Sequence, residues 1–418
     1  MNRNSYFWLF ATFACLLAGL LIACGSAGSS GSASPPSDDD NDDNDDLSPD
    51  DDASPDDDAS PADDDASPSG WPGPPWYGCT ANDIPNGATV VVALDHVYQY
   101  YNGDSDNQRQ VDTAVNFPAA AAWSKVSLRV ELDCPANGAC DVWDRLANLF
   151  LVQNPGASET VDELWRYITP YGATMCMLVD VTQFANLLAG PQTVRSFIDT
   201  WVGPNSGGNG QGWRVTATFI FEGATKSDVP DHIYNVWPYA SVELGNPDNT
   251  VETQVPPTAL TMPATVSRAE LRLIVTGHGQ GNYDNCGEFC NLTRVAVVNG
   301  ATFSDDPWRS DCAFNPIGPN ERGTWKYQRD GWCPGAVVVP DVIDVKSALT
   351  PGATNNFAWH VYESGTTPYV NTCRPGNGGA NNQCAGCAFN SNPGNCDYDG
   401  SEHTEPMDYL TAQLWVWE

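Results

Sequence analysis

Apolar and polar residues alternate one for one along much of this chain. The pattern is strict in KVSLRVELD, where Val126, Leu128, Val130 and Leu132 occupy every second position, and in WRVTATFIFE, through Trp213, Val215, Ala217, Phe219 and Phe221. It returns in LRLIVTG, with Leu271, Leu273 and Val275, and in TAQLWVWE, with Leu414 and Val416. A period of two, broken by Gly, Pro and Asn turns, predicts half-buried antiparallel strands. Only DVTQFANLLAG, at 180–190, carries the spacing of a helical turn. The fold class is therefore all-β, of sandwich or jelly-roll type.

The alternation starts late, and what precedes it is of another kind. Residues 1–24 read MNRNSYFWLFATFACLLAGLLIAC, an apolar run behind Arg3, which has the form of a secretory leader and is set apart from the fold. Its end, Leu21-Ile22-Ala23-Cys24, looks like a bacterial lipobox, which makes Cys24 the expected lipidated N-terminus of an exported, outer-membrane-anchored protein facing the periplasm or the cell surface. From 24 to 81 the chain is first Gly/Ser-rich and then a degenerate Asp-Asp-Asp-Ala-Ser-Pro repeat. Such a segment has too little to bury to offset its ordering entropy, so it reads as a disordered tether. The remainder divides into two expected domains, 82–225 and 226–418. EGATKSDVP lies between them, and a cysteine-rich insertion spans about 371–402 of the second.

The tether also changes how the net charge of −35 is read, because sixteen aspartates between Asp38 and Asp65 carry −16 and Arg3 carries +1. That leaves −20 for 66–418, still acidic enough to disfavour nucleic acid or an anionic membrane surface as partner. The aspartate repeat lacks the glycine and distal glutamate of a calcium loop.

Of fourteen cysteines, twelve remain once Cys15 and Cys24 are assigned to the leader and its lipid site. An even number in an exported chain predicts disulfides. The close pairs are Cys134 with Cys140, Cys286 with Cys290, and Cys312 with Cys333; Cys79 and Cys176 either pair or stay free. The Cys373, Cys384, Cys387 and Cys396 group includes a C-x2-C, but outside the cytoplasm oxidation is expected in place of zinc. No metal or other cofactor is expected.

Carboxylates recur beside tryptophan or cysteine: Asp141 and Asp144 in CDVWDR, Asp199 in SFIDTW, Glu288 in NCGEFC, and Arg329, Asp330 and Trp332 in QRDGWCPG. Tryptophan faces stack on sugars and exclude water, which raises a carboxyl's pKa toward the range useful for acid–base work. Singly, each is as well explained by core tryptophans and solvated turn acids.

Together, CPANGACDVWDRLAN at 134–148, RYITPYG at 166–172, FIDTW at 197–201, AELRLIVTGHG at 269–279, NCGEFC at 285–290 and DGWCPG at 330–335 resemble the bacterial peptide-N-glycosidase F family. The resemblance implies two adjacent jelly-roll domains with a site in the cleft between them. It also implies hydrolysis of the amide that joins asparagine to the first N-acetylglucosamine of an N-linked glycan, by a monomer acting on N-glycosylated proteins. Asp144 matches the acid that activates water, Glu288 the glutamate that holds the first sugar and its amide, and Arg329 an arginine facing developing charge. Trp201 and Trp332 match cleft aromatics, and Arg145 is expected to orient Asp144. Two positions depart from the pattern: Asp199 stands where the family has glutamate, and His278, counted with the sugar-binding group, where it has tryptophan. These departures keep open a second function class, a catalytically silent, tethered carbohydrate-binding or adhesion protein. A copper monooxygenase is disfavoured, because His96, His232, His278, His360 and His403 are scattered without an H-x-H.

Overall fold

The computed structural model describes residues 79–418 apart from 121, 137, 157, 224, 226–227, 247, 280–286, 316, 318–322 and 371–405, and these belong to one compact unit. Cys24, Cys286 and the cysteine-rich insertion lie outside the described residues. The first strands are β1 (Thr89–Gln99), β2 (Gln110–Phe117), β3 (Lys125–Asp133), β4 (Leu146–Gln153), β5 (Thr160–Ile168), β6 (Met175–Asp180), β7 (Gly190–Ile198) and β8 (Trp213–Glu222). They form two antiparallel sheets, β1-β8-β3-β6 and β2-β7-β4-β5. The alternating residues of β3 and β8 meet Leu149, Leu151 and Val194 of the facing sheet in one core, as expected of a face-to-face sandwich. The helical spacing at 180–190 yields a single 3-10 turn, Thr182–Phe184.

The second half follows with β9 (His232–Glu243), β10 (Thr258–Thr261), β11 (Arg268–His278), β12 (Thr293–Val298), β13 (Ala301–Asp305), β14 (Trp308–Arg309), β15 (Arg329–Asp330), β16 (Asp341–Asp344), β17 (Thr354–Ser364), β18 (Thr367–Pro368) and β19 (Met407–Trp417). Two sheets again face each other, β16-β11-β19-β9 and β10-β17-β12-β13, with β18 on the edge of β17 and β14-β15 as a separate small ladder.

Half-burial fails for β11 and β19, which are buried on both faces. The reason is the first sandwich, which covers their outer side. Along β19, Leu410, Ala412, Leu414 and Val416 enter the core of the second sandwich, while Trp415 and Trp417 join the core of the first. The shared boundary is polar as well as apolar. Arg166 of β5, fully buried, donates to Glu163 (2.9 and 2.8 Å), to Thr276 Oγ1 of β11 (3.0 Å) and to the Tyr409 carbonyl of β19 (2.6 Å). Arg272 of β11 returns the contact by donating to the carbonyls of Glu163 and Leu164, each at 3.0 Å. Burial alone would raise the Glu163 carboxyl; the Arg166 charge and hydrogen bonds from Arg166, Thr411 and Asn148 outweigh it and leave the pKa lowered.

Candidate active site

The segment that carries Asp144 is the loop between β3 and β4, and it is tied down before it reaches that residue. Cys134 and Cys140 are joined by a disulfide. Gly210, at φ 85°, lies so close beneath Cys140 that a Cβ there would collide with its carbonyl. Asp141 is fully buried and accepts hydrogen bonds from the Trp143 N–H (3.0 Å), Arg145 Nε (2.8 Å) and the Thr200 hydroxyl (2.7 Å). The hydrogen bonds of Arg145, the residue expected to orient Asp144, go to Asp141, and Asp144 feels its charge. A buried carboxylate with three donors holds the loop and leaves Asp144 to face outward, two residues before β4 begins.

Glu288 and Arg329 arrive from the second sandwich. The turn carrying Glu288 crosses the end of β11 at Gly277 and His278, where a Cβ on Gly277 would strike the Gly287 carbonyl and one on Gly287 the His278 carbonyl. Only glycines allow backbones this close. Arg329, on the two-residue β15, is fully buried; its Nε donates to Glu288 Oε1 (2.7 Å), its Nη1 to the Thr324 carbonyl (2.9 Å) and its Nη2 to the Thr324 hydroxyl. The same guanidinium lies 3.8 Å from Asp144 Oδ2 and stacks over Trp332 at 4.6 Å. Tyr171 completes the group by donating its hydroxyl to Asp144 Oδ2 at 2.8 Å, with Thr324 Oγ1 3.1 Å away.

Asp144 and Glu288 therefore share one arginine in a largely dry setting, with side chains 15 and 13% exposed. Burial raises the Asp144 carboxyl against the pull of Arg329, Tyr171 and Arg145. Burial and the Asp144 charge raise Glu288 to about 7, with Arg329 opposing. One acid can thus stand ionised while the other holds a proton near neutrality, the division of labour needed for acid–base chemistry.

Trp332 is a floor to this group: it is 3% exposed, its Nε1–H donates to the Gly277 carbonyl (2.7 Å), and His278 stacks against it at 5.1 Å. Burial, with Arg166 and Arg329 nearby, lowers His278 to about 3, so its imidazole is neutral at neutral pH. Asp199 and Trp201 form a neighbouring group. Asp199 accepts from Arg109 Nη1 (3.1 Å), and Arg109 lies over the rings of Trp201 (4.3 Å) and Tyr101 (4.7 Å). Trp201, 53% exposed, is the open aromatic surface. Arg145 links the groups, acting on both Asp144 and Asp199. Burial raises Asp199, while Arg109, Arg145 and Trp201 pull it down.

Arg109, Tyr171 and Thr324 were not singled out from the sequence. Tyr171 stood inside RYITPYG, the one available signal; Arg109 and Thr324 carry none. The other described disulfides are Cys312–Cys333 and Cys79–Cys176. Cys290 is disulfide-bonded, and Cys286, its expected partner, lies outside the described residues. Among the described residues, Asp311, Cys312 and Cys333 come together with metal-ligand spacing. Their two sulfurs are bonded to each other and offer no thiolate.

A family model described as peptide-N-glycosidase F, C terminal, matches residues 247–369. The chain is 30% identical, over 275 residues, to the peptide-N(4)-(N-acetyl-beta-D-glucosaminyl)asparagine amidase F of Elizabethkingia miricola, covering 62% of this chain and 73% of that protein. Among solved structures, it resembles PNGase F from Flavobacterium meningosepticum, a glycosylasparaginase, with a TM-score of 0.61 at 19% identity over 80% of this chain and 96% of that one. PNGF-II gives a TM-score of 0.56 at 13% identity over 79% of this chain and 65% of that one. The two structural likenesses bear on the fold.

Proposed function

The chain belongs to the peptide-N-glycosidase F family, and from that premise we propose that it hydrolyses the side-chain amide between asparagine and the first N-acetylglucosamine of N-linked glycans. The observation that carries this is the pairing of Asp144 and Glu288 across one buried guanidinium, Arg329, at the meeting of the two sandwiches. In the proposed reaction Asp144 takes a proton from water as the oxygen attacks the amide carbon. Glu288 holds the amide and first sugar, and Arg329 faces the negative charge that develops on the carbonyl oxygen. The C–N bond then breaks and its nitrogen takes up a proton. The products are a peptide with aspartate in place of asparagine and a glycosylamine, which water converts to free glycan and ammonia. Trp201 offers an aromatic face to sugar, and Tyr171 holds Asp144 in place.

The protein is proposed to act as an exported lipoprotein anchored through Cys24. The leader-like sequence supports this, as do the disulfides, which persist in oxidising compartments. Loss of metabolic labelling by a fatty acid in a Cys24→Ala variant checks it.

Asp199 favours a second reading, because this carboxyl is one methylene shorter than the family's glutamate and is already paired with Arg109. A protein that binds glycans without cleaving them would fit that change. One experiment separates the two. The purified protein is incubated with an N-glycopeptide in isotopically labelled water, and release of glycan is followed together with labelled oxygen in the new aspartate. Hydrolysis that disappears in Asp144→Asn is the expected result; retention of glycan with no release overturns the enzyme reading.

A further inference from the structure

Arg329 does its proposed work from a strand of two residues. Among the described residues β15 pairs only with β14, through Trp308↔Asp330 and Arg309↔Arg329, and belongs to neither sandwich. A ladder this short does not hold a charged side chain in register by itself. Beside the packing of Gly331 and Trp332 on β11, a charged connection to the large sheets runs through the next residue. Asp330 Oδ2 lies 2.5 Å from Nη1 of Arg294 on β12, and the Asp330 backbone N–H donates to the Glu288 carbonyl at 2.9 Å.

Arg294 is fully buried and touches three separate segments. Its Nη2 and Nε form a two-pronged pair with Asp408 of β19 at 2.6 and 3.1 Å, and Nη1 donates to the Leu292 carbonyl at 2.9 Å. The fork thus joins β12, β19 and β15, the last carrying Arg329. The opposing residue on β13, Asp305, is also buried. Burial and the neighbouring Asp341 raise its carboxyl well above the ordinary range. Burial and Asp408 push Asp330 up, to about 8, with Arg294 opposing. The 2.5 Å contact nevertheless fits an ionised carboxylate, because a neutral acid gains little by crowding a guanidinium.

We propose that Arg294 is a positioning residue: by clamping Asp330 and Asp408 it fixes where the Arg329 guanidinium stands relative to Glu288 and Asp144. This rests on the amidase reading, in which Arg329 faces the reacting carbonyl.

Arg294→Lys in the full chain is the test. Lysine keeps the buried positive charge but replaces the planar fork with a compact ammonium that cannot pair two-pronged with Asp408 while reaching Asp330. Any change at Glu288 then reports geometry and not lost charge. The Glu288 carboxyl is followed by carbon NMR across pH, its signal assigned by its loss in Glu288→Gln. The groups facing it are Arg329, which lowers its pKa, and Asp144, which raises it. An Arg329 freed to drift should move the Glu288 titration upward by about half a pH unit or more. kcat should fall roughly tenfold, with KM changed far less.

Asp408→Asn is the second variant, used with the same readouts should the first fail to fold. It removes the two-pronged anchor, and loss of a negative charge would by itself move Glu288 downward, opposite to the expected direction. A Glu288 titration that stays in place or falls in the folded variant overturns the proposal. Should the wild type hydrolyse nothing, the amidase reading falls on that result alone, and the NMR titration still decides whether Arg294 positions Arg329.

Discussion

Two carboxyls that share one guanidinium in a dry pocket do not release their protons together. Glu288, raised to about 7, is protonated below that pH and ionised above it. The pH dependence of kcat/KM should therefore bend near 7, and Glu288→Gln should remove that bend. The limb that remains should belong to Asp144. Asp144→Asn should lower kcat by roughly 10²–10⁴-fold with the fold intact by circular dichroism. Asp199→Glu extends that carboxyl by one methylene toward the family's residue, and kcat/KM should rise several-fold; an unchanged or lower value would show that the pair with Arg109 suits the shorter acid. These residues were legible because their neighbours form motifs. Asp144, Glu288 and Arg329 are far apart in sequence, and their spacing carries no periodic signal. Tyr171 and Thr324 act through single hydroxyls, which no local pattern marks. Nor does the sequence distinguish the buried Trp332 from the open Trp201, since exposure depends on what packs against each ring.

Elements show the same division. Alternation marks β3 and β8 well, because each is a run with a clear inner face. It also finds β11 and β19 but misjudges their outer faces, where Arg272, Thr276, Thr411 and Gln413 look solvated and are in fact buried against the first sandwich. A polar residue satisfied by a partner far along the chain reads like a surface residue. The ladder of β14 and β15 is too short for any period, so the strand bearing Arg329 could not be read as one. At the crossing beneath Glu288, Gly287→Ala should force the backbones apart. We expect a loss of about 1–3 kcal/mol in denaturant unfolding and a fall in kcat. Wild-type-like kinetics would show that the crossing can relax without moving Glu288.

At the scale of the whole molecule, the two sandwiches are joined by a buried network rather than by a linker alone. Arg166→Met would leave Glu163 buried without its counter-charge, a change expected to cost about 3–5 kcal/mol. Thermal unfolding followed by near-UV signal should show it as one cooperative transition moved to lower temperature; separate transitions would mean the sandwiches are energetically independent. The sharing of β19 carries this dependence into the order of synthesis. Trp415 and Trp417 of β19 join, with Val337, the core of a sandwich whose own strands finish by Glu222. Because chains are made from the N-terminus, the first sandwich must wait through almost two hundred further residues for its last two tryptophans. Until they arrive that core lacks two of its buried aromatics, so the first sandwich made by itself is expected to be less stable than it is beside β19.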